Sequence, residues 1–397
     1  IRRQRQMCIR DSKNTNAMNK KATELLKQYG FERIKAADMI DSYNFEDRKL
    51  VEIVKATYFN PKIVVIDETT TALSQEGREE LYKHMERIRK SGNTVIFISH
   101  DLPEIIEKSD TITILRDGVY IDTVKSKDVN ENDLKKLMVG REVTGDYYRS
   151  DYGEKVSDEV VLSVKDVTVP GLIENVSFDL HKGEILGFGG LSESGMHEIG
   201  KAIFGASYDR EGTVELADGT QINDIPTAIK HSIAYTSKDR DNESVVLNQS
   251  IGDNICLPSL DELSGPAHLI SDKKKKDFAN KFAKQMSVKM VDVNQFVSNL
   301  SGGNKQKVVL ARWIGKDSDI VVLDSPTRGI DIKVKQDIYQ LMNQMRKNGK
   351  SIIMISEELM ELIGMCDRIM IMKDGKISGE LERDQNLDEN GLITMMV

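Results

Sequence analysis

Residues 299–331 read NLSGGNKQKVVLARWIGKDSDIVVLDSPTRGID, and two features of this stretch predict the fold. The first is a glycine-rich polar turn, residues 300–304, directly before a helical pattern at residues 305–313. Backbone N–H groups and a hydroxyl at a helix N-terminus suit a phosphate group. The second is an apolar run that ends in Asp324, as in a buried parallel strand that brings a carboxylate to the carboxyl edge of a sheet. Together they predict an α/β fold with a phosphate-binding turn.

Size and composition indicate a soluble globular protein. The chain has 397 residues, enough for two or three domains that each bury a core. Charged residues make up 30% and hydrophobic residues 39% of it, and no apolar run approaches the length of a membrane span. The net charge is −8 without a basic stripe, so we expect no nucleic-acid partner. Cys8, Cys256 and Cys366 lack metal-ligand spacing, which indicates reduced cysteines in a cytosolic protein.

An internal repeat predicts the domain organisation. Residues 43–118 align without a gap with residues 300–375, at a constant offset of 257 residues. The matched pairs include polar side chains that can carry chemistry, namely Asp67 with Asp324, Tyr82 with Tyr339 and Ser99 with Ser356. Chance does not keep two sequences in register over such a length. The chain is therefore expected to hold two copies of one α/β domain.

The repeat also predicts the domain boundaries. Residues 1–12 are basic and aperiodic, which indicates a non-native leader, and residues 13–143 are expected to be the C-terminal part of the first domain. Residues 144–158 form a polar linker, and residues 159–397 form the second, complete domain. The counterpart of Gly190 in the first copy would precede residue 1. The phosphate loop of that copy is therefore expected upstream of this sequence.

Two acidic residues and a histidine carry the predicted chemistry of the first copy. Residues 63–66 are expected to form a buried strand that delivers Asp67 and Glu68, and residues 95–98 a second buried strand before His100. Hydrolysis of a nucleoside triphosphate needs one carboxylate to hold Mg²⁺ and another to orient the attacking water. An imidazole at the same sheet edge can donate a hydrogen bond to the terminal phosphate.

The second copy contains a phosphate loop that departs from the consensus G-x-x-x-x-G-K-[ST]. Gly190 and Gly195 keep the two outer glycines, but Met196 and His197 replace the lysine and the hydroxyl residue. The phosphates thereby lose a positive charge, and Mg²⁺ loses a ligand. Glu193 adds a negative charge where phosphates would lie, and Met196 is expected to pack inside the domain.

The other catalytic positions of the second copy have changed as well. Ser325 stands at the position of Glu68, so the catalytic carboxylate is missing. Glu357 stands at the position of His100 and is expected to replace a hydrogen-bond donor by a repelling anion. Asp324 remains, but too few other metal-binding groups accompany it to form a strong magnesium site.

The turn LSGGN, the following KQKVVLARW and the motif LDxPTRGID resemble the signature and Walker B motifs of ABC-transporter ATPases, in particular the tandem ATPases of bacterial sugar importers. The resemblance covers nearly the whole chain after Ser12 and implies two tandem P-loop NTPase domains, the first incomplete, with ATP and Mg²⁺ as cofactors. The roles that it implies are Asp67 for Mg²⁺, Glu68 as catalytic base, His100 as switch histidine, Ser301, Gly302, Gly303 and Asn304 as the signature on the ATP phosphates, and Gly190 and Gly195 as a degenerate phosphate loop.

In that family two ATPase domains meet head to tail, and each nucleotide lies between the phosphate loop of one and the signature of the other. The resemblance therefore pairs Asp67, Glu68 and His100 with the signature at residues 301–304. The opposite pairing joins the degenerate loop to residues 43–47, which keep neither the serine nor the glycines of a signature. One hydrolytic site and one inert site are expected.

The resemblance also implies a place in the cell and a set of partners. It implies a subunit at the cytoplasmic face of the plasma membrane that binds permease subunits and, through them, a periplasmic or extracellular solute-binding protein. Three alternatives stay open at this point: a nucleoside importer, a soluble tandem ABC protein that acts on ribosomes, and an interaction scaffold that does not hydrolyse ATP.

Overall fold

The computed structural model describes residues 14–43, 45–59, 61–67, 69–70, 73, 75–99, 101–116, 119–139, 147–151, 156–191, 193–265, 268–330, 332–384 and 387–396. The candidate catalytic residues Glu68 and His100, and the expected leader at residues 1–12, lie outside these ranges. The chain divides into two compact units, unit 1 at residues 1–140 and unit 2 at residues 141–397. The division falls slightly ahead of the expected boundary at residue 143.

Unit 2 is built on a six-stranded sheet of order β13-β12-β7-β11-β10-β9, in which only β13 runs antiparallel to its neighbour. A three-stranded antiparallel sheet of order β6-β5-β8 accompanies it. The strands of unit 2 are β5 (Val160–Val169), β6 (Ile173–His181), β7 (Ile185–Gly190), β8 (Glu211–Leu216), β9 (Ile233–Thr236), β10 (Ile320–Asp324), β11 (Ser351–Ile355), β12 (Arg368–Lys373) and β13 (Lys376–Glu382). β7, β10 and β11 are buried along their whole length, as expected for parallel strands covered on both faces.

Unit 1 is smaller and contains the two-stranded sheets β1–β2, which is parallel, and β3–β4, which is antiparallel. Its strands are β1 (Ile63–Asp67), β2 (Thr94–Ile98), β3 (Thr111–Arg116) and β4 (Val119–Lys125), and its helices are α1 (Thr15–Gln28), α2 (Phe45–Thr57), α3 (Gln75–Lys90), α4 (Leu102–Lys108) and α5 (Glu131–Val139). Asn14 caps α1, and Gly30 follows the helix with a φ of 82°, a conformation that glycine commonly adopts at a helix C-terminus.

The helices of unit 2 surround its sheet and form a helical part between β9 and β10. They are α6 (Met196–Ile203), α7 (Ile225–Lys230), α8 (Ile251–Cys256), α9 (Leu260–Leu263), α10 (Asp272–Gln285), α11 (Gly302–Lys316), α12 (Ile332–Lys347), α13 (Leu359–Met365) and α14 (Glu389–Met396). Among the described residues, no helix combines the length and the apolarity that a membrane crossing requires.

The elements of unit 1 coincide with those of unit 2 when the 257-residue offset is applied. β1, α3, β2, α4, β3 and β4 begin and end at the positions that match β10, α12, β11, α13, β12 and β13. Strand register agrees too, because Ile63 pairs with Thr94 and Ile320 pairs with Ser351. Even the irregularity between Ile114 and Leu115 has its counterpart between Ile371 and Met372.

The expectation that residues 63–66 and 95–98 form buried strands is wrong for one face of the β1–β2 sheet. Ile63, Val65, Ile96 and Ile98 are 44–59% exposed, whereas the matching residues of β10 and β11 are at most 4% exposed. In unit 2 this region of the sheet packs against α6, because a Cβ on Gly200 would lie 2.9 Å from Ile355 and 3.4 Å from Val322. The described part of unit 1 contains no counterpart of α6.

The expected polar linker is anchored over its described residues 147–151. Arg149 is buried, donates to the Met365 carbonyl over 2.8 Å and pairs with Asp367 over 2.7 Å. Tyr148 packs on Tyr339 at a centroid separation of 5.3 Å. This segment is therefore part of the packing of unit 2, which a polar composition alone did not indicate.

Candidate functional site

The carboxyl ends of the parallel strands in unit 2 bring four segments to one edge of the sheet. β7 runs into the loop at residues 190–195, β10 ends at Asp324, and β11 is followed by Glu357. β9 is followed by residues 237–244, called here the lid segment. Ligands of open α/β sheets bind in the crevice at this edge, so the geometry matches the expected site.

The loop at residues 190–195 keeps its outer glycines because the backbone is tightly packed there. A Cβ on Gly190 would lie 2.3 Å from the Ser194 hydroxyl, and a Cβ on Gly195 would lie 2.6 Å from Ile173. Gly195 also has a φ of 91°, which other residues rarely adopt. The two glycines thus preserve the shape of a phosphate loop before α6.

The two residues that follow this loop do not face a ligand. Met196 is fully buried in the core, which confirms its expected role as a packing residue. His197 is also buried and directs Nδ1 at the Oδ1 atom of Asp324, 2.7 Å away. The positions of the consensus lysine and hydroxyl residue are therefore occupied by an apolar contact and an internal hydrogen bond.

His197 belongs to a network of titratable side chains. Its Nε2 atom lies 3.0 Å from Lys238 Nζ and 3.4 Å from Glu357 Oε1, and Lys238 donates to the same carboxylate oxygen over 2.6 Å. Burial favours neutral His197, but its hydrogen bonds to Asp324 and Glu357 prevail and raise its pKa above the usual value. Glu357 was expected to repel a ligand; it instead pairs with Lys238.

Mg²⁺ does not fit at Asp324 in this arrangement. Its Oδ1 atom accepts the His197 hydrogen bond and lies 3.3 Å from the Ser325 hydroxyl, while Oδ2 faces the Tyr235 hydroxyl at 3.4 Å. Mg²⁺ requires a near-octahedral shell of oxygen ligands at about 2.1 Å, several of them waters. The expected weak magnesium site at Asp324 is therefore incompatible with the contacts of this carboxylate.

The turn at residues 301–304, unlike the surroundings of Asp324, has groups that can bind a ligand. Ser301 is the N-cap of the 15-residue helix α11, and its side chain makes no capping hydrogen bond to the helix. Asn304 fixes the turn by donating to the Ser301 hydroxyl over 2.9 Å and accepting from the Lys289 N–H over 2.7 Å. The guanidinium of Arg240 lies beside Gly302, where a Cβ would approach Nη2 to 3.1 Å. Uncapped N–H groups and an adjacent cation suit a phosphate.

Two described residues of the equivalent segment in unit 1, Tyr43 and Asp47, are held by side-chain hydrogen bonds. The Tyr43 hydroxyl donates to Asp38 over 2.8 Å and accepts from the Lys35 N–H over 2.8 Å. Asp47 is buried and accepts from Arg33 over 2.7 Å. Asp47 stands at the position of Asn304 of unit 2, and a buried carboxylate there makes this segment less suited to an anion.

Asp67 ends β1 as predicted, and its surroundings differ from those of Asp324. It is exposed, and its carboxylate has no hydrogen-bond or ion-pair partner in the part of the chain that the structure describes. The Thr69 hydroxyl donates to the Asp67 carbonyl, at 3.3 Å, and not to its carboxylate. A free carboxylate at a strand end fits a hydrated Mg²⁺.

Sequence reasoning missed a buried glutamate that recurs in both units. Glu361 accepts hydrogen bonds from Thr327 over 2.6 Å, from Ser356 over 2.8 Å and from Tyr339. Glu104 accepts in the same way from the residues at the matching positions, which are Thr70, Ser99 and Tyr82. The signal was present in the repeat, which pairs Tyr82 with Tyr339 and Ser99 with Ser356, but the acceptor common to both was not identified.

The sequence is similar to those of known proteins, and this similarity shows the family. The sequence pattern of the family described as ABC transporter matches residues 173–328, which include the degenerate loop, the signature turn and β10. A ribose import ATP-binding protein of Lactococcus lactis subsp. cremoris is 39% identical over 95% of this chain and 76% of its own length. The chain belongs to the family of ABC sugar-import ATP-binding proteins.

Other members of the family agree with this assignment. A xylose import ATP-binding protein of Thermoanaerobacter pseudethanolicus is 43% identical over 84% of this chain and 68% of its own length. A ribose import ATP-binding protein of Clostridium tetani is 38% identical over 85% of this chain and 66% of its own length. The chain thus spans about two thirds to three quarters of these relatives.

A solved structure shows the same fold. An ATP-binding cassette described as a dimer in a post-hydrolysis state, bound to ADP and Pi, has a TM-score of 0.50 and 22% identity. It covers 56% of this chain and 99% of its own length. The P-loop α/β fold predicted from the signature stretch is therefore confirmed.

Proposed function

We propose that this chain is the greater part of an ATPase subunit that drives uptake of a monosaccharide, of the ribose, xylose or galactose class, through an ABC importer. The observation that carries the proposal is the asymmetry between the two units. The strand-end carboxylate of unit 1, Asp67, has no side-chain partner among the described residues, whereas that of unit 2, Asp324, is enclosed. The signature turn has no side-chain cap in unit 2, whereas the matching segment of unit 1 contains the buried carboxylate of Asp47.

The roles follow from this asymmetry together with the family's head-to-tail arrangement. Asp67 would hold Mg²⁺ through water, Glu68 would orient and deprotonate the attacking water, and His100 would donate to the terminal phosphate. The N–H groups of residues 301–304 would bind the phosphates of the same ATP. Mg²⁺ neutralises charge on the transferred phosphoryl group.

We further propose that unit 1 is the C-terminal part of a second ABC domain. The coincidence of element boundaries and strand register at the 257-residue offset supports this. The exposed apolar face of the β1–β2 sheet supports it too, because its counterpart in unit 2 is covered by α6. A preceding segment with a strand, an intact phosphate loop and a helix would cover that face.

The proposed partners and location come from the family. The subunit would bind the cytoplasmic face of membrane permease subunits, which in turn receive the sugar from a solute-binding protein. Closure of the two domains around ATP would switch the permease, and hydrolysis would reset it.

The test is ATP hydrolysis by the product of the complete gene, assembled with its permease in vesicles. Glu68→Gln should lower kcat by at least 100-fold, because it removes the group that activates water. Ser325→Ala changes the matching position of unit 2 and should leave kcat within about twofold, since a serine there supplies no base. Equal losses in the two variants, or full activity in Glu68→Gln, would contradict the proposed asymmetry.

A further inference from the structure

The charge network of unit 2 joins the four segments that gather at the carboxyl edge of its sheet. His197 lies in the first turn of α6, Asp324 ends β10, Glu357 follows β11, and Lys238 lies in the lid segment. In an ATP-binding site of this family these segments would meet through a shared nucleotide. Here side chains connect them directly.

The network joins two carboxylates and two nitrogen groups, and its inner half, His197 and Asp324, is buried. The side chains of Asp324 and His197 are 1% and 9% exposed, and those of Lys238 and Glu357 are 24% and 33% exposed. Asp324 contacts the imidazole of His197 at 2.7 Å, and Glu357 contacts the ammonium group of Lys238 at 2.6 Å. Hydrogen bonds within such a network restrict the movement of its members, and loss of a partner is most costly for the buried pair His197 and Asp324.

The lid segment continues from this network to the helix that carries the signature turn. Next to Lys238, the Ser237 N–H donates to the Ser244 hydroxyl over 3.0 Å. The Ser244 carbonyl accepts from Arg312 of α11 over 2.6 Å. Lys305, in the first turn of α11, pairs with Asp241 over 2.9 Å. The lid segment is thus fixed at one end to the network and at the other to α11.

We propose that His197, Asp324, Lys238 and Glu357 take the place of magnesium nucleotide in unit 2 and, through the lid segment, keep the signature turn in position without a ligand. The inference rests on the proposal that residues 190–197 are a remnant of a phosphate loop. It makes Lys238, His197 and Glu357 positioning residues, because they act on the signature turn through residues 237–244. Unit 2 then presents its signature whether or not nucleotide is present.

Hydrogen–deuterium exchange with mass spectrometry tests this inference without any ATPase measurement, so its failure is distinct from failure of the proposed function. In the wild-type chain, the peptide covering residues 237–244 should exchange at the same rate with and without about 2 mM MgATP, a concentration chosen to saturate weak sites. The peptide covering residues 301–305 is compared between variants without nucleotide, because the proposed ATP site includes these residues. Lys238→Met should raise exchange in both peptides by at least fivefold. Lys238→Arg keeps the charge and should restore most of the protection.

Matched controls separate positioning from general stability. Lys182→Met removes a cation from an exposed pair with Glu159 and should change neither peptide. Glu357→Gln is nearly isosteric and should reproduce the effect of Lys238→Met, while residues 160–181 keep wild-type exchange. Three outcomes would each overturn the inference. The first is slower exchange of the wild-type lid segment in MgATP, and the second is unchanged exchange in Lys238→Met. The third is a uniform rise in exchange over all of unit 2 in both variants.

Discussion

Asp67 and Asp324 show how neighbours decide what one residue type can do. Each ends a parallel strand at matching positions of the repeat. Asp324 is enclosed by His197, Ser325 and Tyr235, whereas Asp67 has no side-chain partner among the described residues. Burial and the charge of Asp324 raise the pKa of Tyr235, which keeps its hydroxyl protonated against that carboxylate. An aspartate at a strand end, even one that recurs in a repeat, is therefore weak evidence for a metal site until its contacts are known.

At the residue scale we predict that His84 makes unit 1 sensitive to acid. Its side chain is buried against Tyr29 and Phe31, and burial lowers its pKa below the ordinary 6.5. The unfolded chain therefore binds this proton more readily than the folded one. The free energy of unfolding should therefore fall as the pH drops below about 6.5, by at most about 1.4 kcal/mol per pH unit. Above that pH, His84 should make no pH-dependent contribution to it.

His84→Leu is the matched control, because Leu341 stands at the same position of unit 2. Urea unfolding followed by circular dichroism between pH 5 and 8 would give the difference between the two proteins. That difference should grow toward pH 5 in favour of the leucine variant. A difference that does not change with pH would show that His84 keeps its ordinary pKa on folding.

At the element scale, the anchored segment at residues 147–151 depends on a glycine of α13. A Cβ on Gly364 would lie 2.3 Å from the ring of Tyr148, and the Gly364 carbonyl accepts from the Arg149 N–H over 3.2 Å. Gly364→Ala should lower the free energy of unfolding of unit 2 by about 1–3 kcal/mol, the usual cost of overpacking. Fluorescence of Trp313, the single tryptophan, would report this transition in urea.

Gly391→Ala provides the comparison, since Gly391 also lies in a helix. A Cβ there would meet only the Asp388 carboxylate, at an ordinary 3.5 Å. This change should leave the stability unaltered or raise it by up to about 1 kcal/mol through a less flexible unfolded chain. Equal effects of the two substitutions would mean that Tyr148 does not pack on α13 in solution.

The elements themselves were predictable from sequence, but their surroundings were not. β1 and β10 end at Asp67 and Asp324 as expected, because an apolar run followed by a polar residue is a local signal. The contact between His197 and Asp324 joins residues 127 positions apart, and no local pattern encodes it. The exposure of Ile63 and Ile96 could not be predicted from the sequence of their strands either, because burial depends on which other elements cover a strand.

At the scale of the whole molecule, the exposed face of β1–β2 tests whether unit 1 is one part of a larger domain. Ile96 and Ile353 stand at matching positions, yet Ile96 is 47% exposed and Ile353 is fully buried. In this chain, Ile96→Thr should change the free energy of unfolding by less than about 0.5 kcal/mol. Ile353→Thr should cost about 2–4 kcal/mol, because it removes buried apolar surface and buries a hydroxyl.

The same pair of substitutions in the product of the complete gene should behave differently. If a preceding segment supplies a helix over β1–β2, as α6 covers β10 and β11, Ile96 becomes buried and Ile96→Thr should cost nearly as much as Ile353→Thr. Urea unfolding followed by circular dichroism would measure both variants in both proteins. A neutral Ile96→Thr in the complete protein would mean that this face stays open, and unit 1 would then be a domain of another kind than its repeat partner.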